Sequence, residues 1–237
     1  MAEMSRTMRT IGLIGGMSWE STAIYYKAIN EETQRLLGGH HNARSIVLSL
    51  DFAEIEAHQA AGQWNEAAAL LRDAAKTLVR AGASILLLCT NTMHKVASAV
   101  AEATDATFIH IADPTATEIR KHGIRTVGLL GTRYTMEEDF YRQRIERSGL
   151  TVLIPERQER DDVHAIIYDE LCHGLIKDDS RTRYQAIVSS LATRGAEGVI
   201  LGCTEIGMLL DSRYVNLPLF DTARLHAMAA VAESVRS

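Results

Sequence analysis

The sequence predicts an α/β protein of two similar domains, each a parallel sheet flanked by helices, related by duplication. Three observations carry this prediction. Short apolar runs alternate with helical patterns along the 237 residues, the order expected of parallel sheets covered by helices. Runs such as Ser84-Ile-Leu-Leu-Leu88 are apolar on both faces, as central parallel strands are. The pattern then starts again halfway, with like residues at like strand ends.

The elements follow in order. Thr10-Ile-Gly-Leu-Ile14 reads as a strand, and Ser18 as the N-cap of a helix over 18–37 with Glu20 and Ser21 in its first turn. Residues 45–50 read as a second strand, the Ala/Leu-rich stretch 64–80 as a helix, and 84–88 as a third strand. A helix over 94–103 and a strand over 107–111 come next, and Pro114 marks a helix start. In the second half, strands are expected over 126–130, 150–154 and 198–201. Helices are expected over 136–147, 161–173, 181–194 and 222–235. With three prolines and no Ser/Gly-rich linker, the connections should be short.

The restart is an internal repeat. Arg80-Ala-Gly-Ala-Ser-Ile-Leu-Leu-Leu-Cys89-Thr90 lies without a gap over Arg194-Gly-Ala-Glu-Gly-Val-Ile-Leu-Gly-Cys203-Thr204, 114 positions on. Ile11-Gly-Leu-Ile-Gly15 lies over Val127-Gly-Leu-Leu-Gly131, 116 positions on. Buried strands resemble one another, but packing alone does not ask for Cys-Thr at the same strand end.

Composition narrows the function. A hydrophobic content of 46% in 237 residues supports a sizeable core. The net charge of −5 and the absence of a Lys/Arg cluster argue against nucleic acid as a partner. No apolar run reaches the roughly 18 residues of a membrane span, and the polar residues 1–10 do not read as a signal peptide. Three cysteines, an odd number, fit a reducing, cytoplasmic setting rather than a disulfide framework.

Ligands of open α/β sheets bind beyond the carboxyl ends of the strands. Four segments fall there: Gly15-Gly16-Met17-Ser18, Cys89-Thr90-Asn91-Thr92, Gly131-Thr132-Arg133-Tyr134 and Cys203-Thr204-Glu205. A thiol where a strand gives way to a helix meets free N–H groups and the positive end of the dipole, so both thiol pKa values are expected to be lowered. The Thr and Asn residues that follow offer donors for a carboxylate. Two thiols across one small substrate can remove a proton from a carbon on one face and supply one on the other. The mirror-image centre results, and the pair titrates as a unit.

Ile11-Gly-Leu-Ile-Gly-Gly-Met-Ser-Trp-Glu-Ser-Thr22, Leu88-Cys-Thr-Asn-Thr-Met-His94, Gly131-Thr-Arg-Tyr-Thr-Met136 and Gly202-Cys-Thr-Glu205 resemble the aspartate/glutamate racemase family, including its broad-specificity amino-acid racemases. The resemblance covers nearly the whole chain. It implies a cofactor-independent two-base isomerase, often a homodimer, that interconverts L- and D-amino acids, with aspartate or glutamate as the expected substrate. It implies Cys89 and Cys203 as the acid/base pair. It implies Thr90, Asn91, Thr92 and Thr204 at the substrate carboxylate, Glu205 beside the second thiol, and Met17, Ser18 and Gln59 lining the pocket. It also implies a split first domain, 1–117 completed by 221–237, around a second domain, 118–220, with the active site between them. Gly15-Gly16 stands where cell-wall glutamate racemases carry Asp-Ser, which argues against a peptidoglycan-precursor role. Gln59 and His173 stand at the positions matching the side-chain-binding Arg and Lys of archaeal aspartate racemases. Arg44, Arg133 and Lys177 are therefore the candidate partners for an acidic side chain.

Other readings compete. A free cysteine is usually a small buried hydrophobe, and Cys172, which has no duplicate, reads as a core helix residue. No Cys/His spacing points to a metal. Gly12, Gly15 and Gly16 do not make G-x-G-x-x-G, and Asp51 lies too far on for a dinucleotide fold. These glycines read instead as room for substrate. No P-loop is present, and no Lys stands at a strand end to hold pyridoxal phosphate. A decarboxylase or maleate-type isomerase using one cysteine is the alternative chemistry, and a ligand-binding sensor the non-enzymatic one.

Overall fold

The structure is a computed structural model that describes residues 8–236. Among the described residues, eight strands form two sheets. In the first, β1 (Ile11–Gly15), β2 (Ser45–Ser49), β3 (Ile85–Leu88) and β4 (Thr107–Phe108) run parallel in the order β2-β1-β3-β4. In the second, β5 (Thr126–Gly131), β6 (Thr151–Leu153), β7 (Gly198–Gly202) and β8 (Leu219–Asp221) run parallel in the order β6-β5-β7-β8. The two orders are one topology used twice, so the sequence repeat is a repeat of structure. The central strands β1, β3 and β7 are buried throughout, which accounts for runs without polar alternation. Each order reverses direction once, between β1 and β3 and between β5 and β7. Ligand crevices form beyond the carboxyl ends at such switch points.

The helices cover the sheets with apolar stripes at helical spacing. On α3 (Trp64–Arg80), Ala67, Leu71, Ala74, Ala75 and Leu78 are buried; on α9 (Asp178–Thr193), Tyr184, Ile187, Val188 and Leu191 are. Helix α1 (Trp19–Leu37) starts as expected, with Ser18 Oγ accepting from Ser21 N–H at 3.2 Å. Among the described residues, no helix is long and apolar enough to cross a membrane.

The glycines after β1 overturn one expectation. A Cβ on Gly15 would stand 2.5 Å from Thr22 Oγ1, and one on Gly16, whose φ is +86°, would stand 2.1 Å from the Leu50 carbonyl oxygen. These residues admit close neighbours from α1 and from the chain beyond β2, rather than room for substrate.

Other elements differ from the sequence reading. The expected helix over 94–103 is a 3-10 turn, Thr92–Val96, followed by the short α4 (Ala97–Ala101). The expected strand over 107–111 keeps only two residues. The helix over 136–147 is two, α6 (Arg133–Glu137) and α7 (Asp139–Glu146), because Glu138 is extended between them. The helix over 161–173 ends as α8 (Arg157–Asp169), and Cys172 lies in the 3-10 turn Leu171–His173. Helix α2 (Phe52–Ala60), α10 (Ile206–Leu209) and β8 were not anticipated. The remaining helices are α5 (Ala112–Lys121) and α11 (Thr222–Ser234).

The chain folds as two compact units. The first comprises the described residues up to Cys89, Val96–His110, and the described residues from His226 on. The second comprises Thr90–Lys95 and Ile111–Leu225. Within the first unit, His226 of α11 is fully buried. Its Nε2 donates to the Ile109 carbonyl at 2.7 Å, so its Nδ1 accepts from the Tyr25 hydroxyl, also at 2.7 Å. Arg9 N–H donates to the Ser234 carbonyl, and the Arg9 guanidinium pairs with Glu233 at 2.6 Å. In the second unit, a continuous apolar cluster runs from Ile111 to Phe220.

Candidate active site

In the first unit, Cys89 follows β3 directly and is wholly buried. Its N–H donates to the Ile14 carbonyl at 2.9 Å, and its carbonyl accepts from Ser21 Oγ at 2.6 Å. The backbone that carries the sulfur is therefore tied to β1 and α1. Ser21 was not singled out in the sequence, where it read only as a first-turn helix residue. Met17, Ser18 and Gln59 belong to the same unit and are buried. Gln59 reaches its position on the unanticipated α2.

In the second unit, Thr90, Asn91 and Thr92 form a buried turn. His94 braces it. The ring Nδ1 donates to the Thr90 carbonyl at 2.8 Å, and Nε2 accepts from Ile111 N–H at 3.2 Å. A carbonyl only accepts and an amide N–H only donates, so one neutral tautomer satisfies both. Thr92 Oγ1 meets Thr132 Oγ1 at 2.9 Å, and Thr132 caps α6. Thr132 links the turn to the end of β5. The sequence had marked its segment but not its hydroxyl.

Asn91 is held by a directed chain. Thr222 Oγ1 donates to the Leu201 carbonyl at 2.8 Å and accepts from Asn91 Nδ2 at 3.0 Å. Asn91 Oδ1 is buried without a hydrogen-bond partner among the described residues.

Cys203 follows β7 and is also buried. Its thiol donates to Glu205 Oε2 at 3.0 Å, and the Thr204 hydroxyl donates to the same oxygen at 2.6 Å. Cys172 Sγ lies 3.9 Å from Glu205 Oε1. One buried carboxylate thus gathers two thiols and a hydroxyl. Cys172, read as a core helix residue, stands within this cluster.

The expected lowering of both thiol pKa values is overturned. Burial pushes the Cys89 thiol up. Burial pushes Cys203 well above the ordinary thiol range, and the nearby Glu205 charge pushes it further. Desolvation disfavours a thiolate that has no cation beside it. The helices beyond the two sulfurs are five and four residues long, and α4 begins only after the Thr92–Val96 turn, so little dipole is there to offset that cost. The Tyr184 hydroxyl is raised for the same leading reason, with Cys203 and Glu170 adding to it.

The candidate cations are also sorted. Arg44 precedes β2, at the amino end of the sheet, and its carbonyl accepts from Ile11 N–H; it stands at the wrong end of its strand. Lys177 pairs with Glu170 at 3.2 Å. Arg133 stands just past the carboxyl end of β5 and pairs with Asp161 at 3.0 Å. Asp221, at the carboxyl end of β8, was missed in the sequence, and burial raises its carboxyl pKa.

The arrangement can hold neutral thiols dry at strand ends, deliver a proton between a thiol and a carboxylate, and present oriented hydroxyls and N–H groups to an anion.

Comparison with known proteins places the chain in a family. A Bacillus subtilis broad-specificity amino-acid racemase, RacX, is 20% identical over 232 residues, covering 93% of this chain and 96% of its own. The crystal structure of a proposed Asp/Glu racemase from Yersinia pestis is 48% identical and covers 97% of this chain and 100% of its own, with a TM-score of 0.89. An aspartate racemase homologue from Pyrococcus horikoshii is 34% identical over 97% of this chain and 100% of its own, with a TM-score of 0.84. The family model for Asp/Glu/Hydantoin racemase matches residues 14–230. With matched Cys-Thr strand ends on a repeated β2-β1-β3-β4 topology, this chain belongs to the Asp/Glu/Hydantoin racemase family.

Proposed function

We propose that the protein is a cofactor-independent amino-acid racemase acting on aspartate or glutamate, with Cys89 and Cys203 as its two acid/base groups. The observation that carries this reading is the pair of cysteines at the carboxyl ends of topologically equivalent strands, β3 and β7. The first domain, 1–117 completed by 221–237, supplies Cys89; the second, 118–220, supplies Cys203. One sulfur, as thiolate, takes the α-proton and becomes a thiol. The other thiol gives its proton to the opposite face of the carbanion and becomes the thiolate. Atoms and charge balance, and the reverse reaction exchanges the roles.

Burial supports the proton-donating role, since both sulfurs rest as thiols. The base role needs help, which the Glu205 carboxylate offers at 3.0 Å from Cys203. It can receive the thiol proton, and the substrate ammonium entering a dry site favours the thiolate left behind. Glu205 is thus assigned to Cys203 rather than to the substrate. Thr90, Thr92 and the Thr204 backbone N–H receive the substrate carboxylate, where negative charge gathers as the α-proton leaves. Met17, Ser18 and Gln59 line the remaining wall.

Circular dichroism of L-aspartate and L-glutamate solutions, with no cofactor added, tests the reading. Optical activity should decay to zero with the wild type, and Cys89→Ser and Cys203→Ser should each slow the decay by at least about 10³-fold. Mirror-image substrates share one free energy, so each variant must lose kcat/KM equally in both directions. Release of carbon dioxide or formation of a geometric isomer in place of the opposite enantiomer would replace this reading with single-thiol chemistry.

A further inference from the structure

The Asn91 side chain carries information that the family resemblance does not. An asparagine amide has a donating end and an accepting end, and its partners decide which end faces where. Here the decision is forced. The Thr222 hydroxyl proton is spent on the Leu201 carbonyl at 2.8 Å, so Thr222 Oγ1 meets Asn91 as an acceptor, and the atom it accepts from at 3.0 Å is Nδ2. The end left over is Oδ1. It is buried, it has no partner among the described residues, and it can only accept. Asn91 as a whole is 3% exposed. A buried acceptor without a donor costs about 1–3 kcal/mol, and a group from a bound molecule that fills it removes that cost.

The resemblance places Asn91 among the ligands of the substrate carboxylate. A carboxylate brings only acceptors, and against Oδ1 it would set oxygen against oxygen. We propose that Asn91 Oδ1 is the acceptor for the substrate's α-ammonium group, leaving the carboxylate to Thr90, Thr92 and Thr204. The assignment rests on the racemase reading for the identity of the substrate as an amino acid; the chemistry of the subsite, a primary ammonium, comes from the orientation of the amide. It also explains a division of labour. An ammonium fixed beside the turn that follows Cys89 brings positive charge to a dry region where thiols otherwise stay protonated. Thr222, at the start of α11, becomes a positioning residue, because its hydroxyl determines which way the amide faces.

Calorimetric titration with two ligand pairs tests the proposal: glutamate against glutarate, and aspartate against succinate. The members of each pair differ only in the amine. Asn91→Leu removes the acceptor and should weaken glutamate or aspartate at least tenfold while leaving the amine-free partner within about threefold. Asn91→Asp keeps an acceptor and adds negative charge, and the Thr222 hydroxyl can turn to donate to it. This variant should hold the amino acid within about threefold of wild type and weaken the amine-free diacid more than tenfold. Equal weakening of both members by Asn91→Leu, or loss of the amino acid in Asn91→Asp, would return Asn91 to the carboxylate and overturn the proposal. Failure of the wild type to bind any of the four would overturn it as well. Thermal unfolding of each variant checks that it folds. Binding that follows the predicted pattern in a protein that never inverts the substrate would sink the racemase reading while keeping the ammonium subsite.

Discussion

At the residue scale, the decisive group is Glu205. Its carboxylate accepts from Cys203 and Thr204 and lies beside Cys172. Two opposed effects follow from one charge: it raises the Cys203 thiol pKa, and it gives the thiol proton a place to go. Glu205→Gln separates them. Removing the charge should lower the Cys203 pKa, so alkylation of Cys203 by iodoacetamide, followed by peptide mass spectrometry, should rise at a lower pH than in wild type. The same variant should lose about 10²-fold in kcat, in the range of a lost general base, with KM changed little. Alkylation that shifts to higher pH would contradict the charge argument. The pair Glu205–Cys203 was legible in the sequence because the residues are two apart. The Cys172 contact was not, since it depends on where the turn after α8 places a residue 33 positions away.

At the element scale, the strands were legible where both faces are buried. Periodicity failed where elements are short. The 3-10 turn Thr92–Val96 and the two-residue β4 carry too few residues for a pattern to emerge. Helix α2 was hidden because only Ile55 and Gln59 of its nine residues are buried, which leaves no apolar stripe. In α11, Ala227, Ala230 and Val231 are buried at helical spacing, and His226 adds polar contacts that hydrophobic patterning does not report. His226→Phe would leave the Tyr25 hydroxyl and the Ile109 carbonyl buried without that partner. A loss of about 2–4 kcal/mol is expected, read as a lower urea midpoint at unchanged slope. Tyr25→Phe, which removes only the hydroxyl that meets His226 Nδ1, should cost about half as much. At the β1 turn, Gly16→Ala combines a φ of +86° with a Cβ 2.1 Å from the Leu50 carbonyl. It should cost at least as much as the His226 change in the same assay.

At the scale of the whole molecule, the internal repeat was the strongest sequence signal, and it became two sheets of one strand order. Strand order itself was not legible, since it depends on which way each crossover turns. Burial of ionisable groups also leaves a global mark. Cys89, Cys203, Tyr141 and Tyr184 all have acid pKa values raised by burial in the folded protein. A raised folded pKa means that the unfolded chain loses these protons first as pH rises. The stabilisation is complete below the unfolded thiol value of about 8.5 and declines as pH climbs past it, then falls further past the tyrosine value of about 10. Urea midpoints should therefore fall between about pH 8 and pH 10.5. The alkaline decline should begin at higher pH in the Cys89→Ser, Cys203→Ser double variant, whose first groups to ionise are the tyrosines.

The central claim is that a proton leaves one face of a carbon to one sulfur and returns to the other face from a second. Early-time mass spectrometry of a single enantiomer reacted in D₂O tests it most directly. Two thiols of opposite duty predict a product enantiomer that carries one deuterium at the α-carbon from the first turnovers, while the unreacted enantiomer keeps its protium. A product that retains the original hydrogen, deuterium entering both enantiomers at equal rates from the outset, or full inversion by a variant lacking either Cys89 or Cys203 would contradict the account.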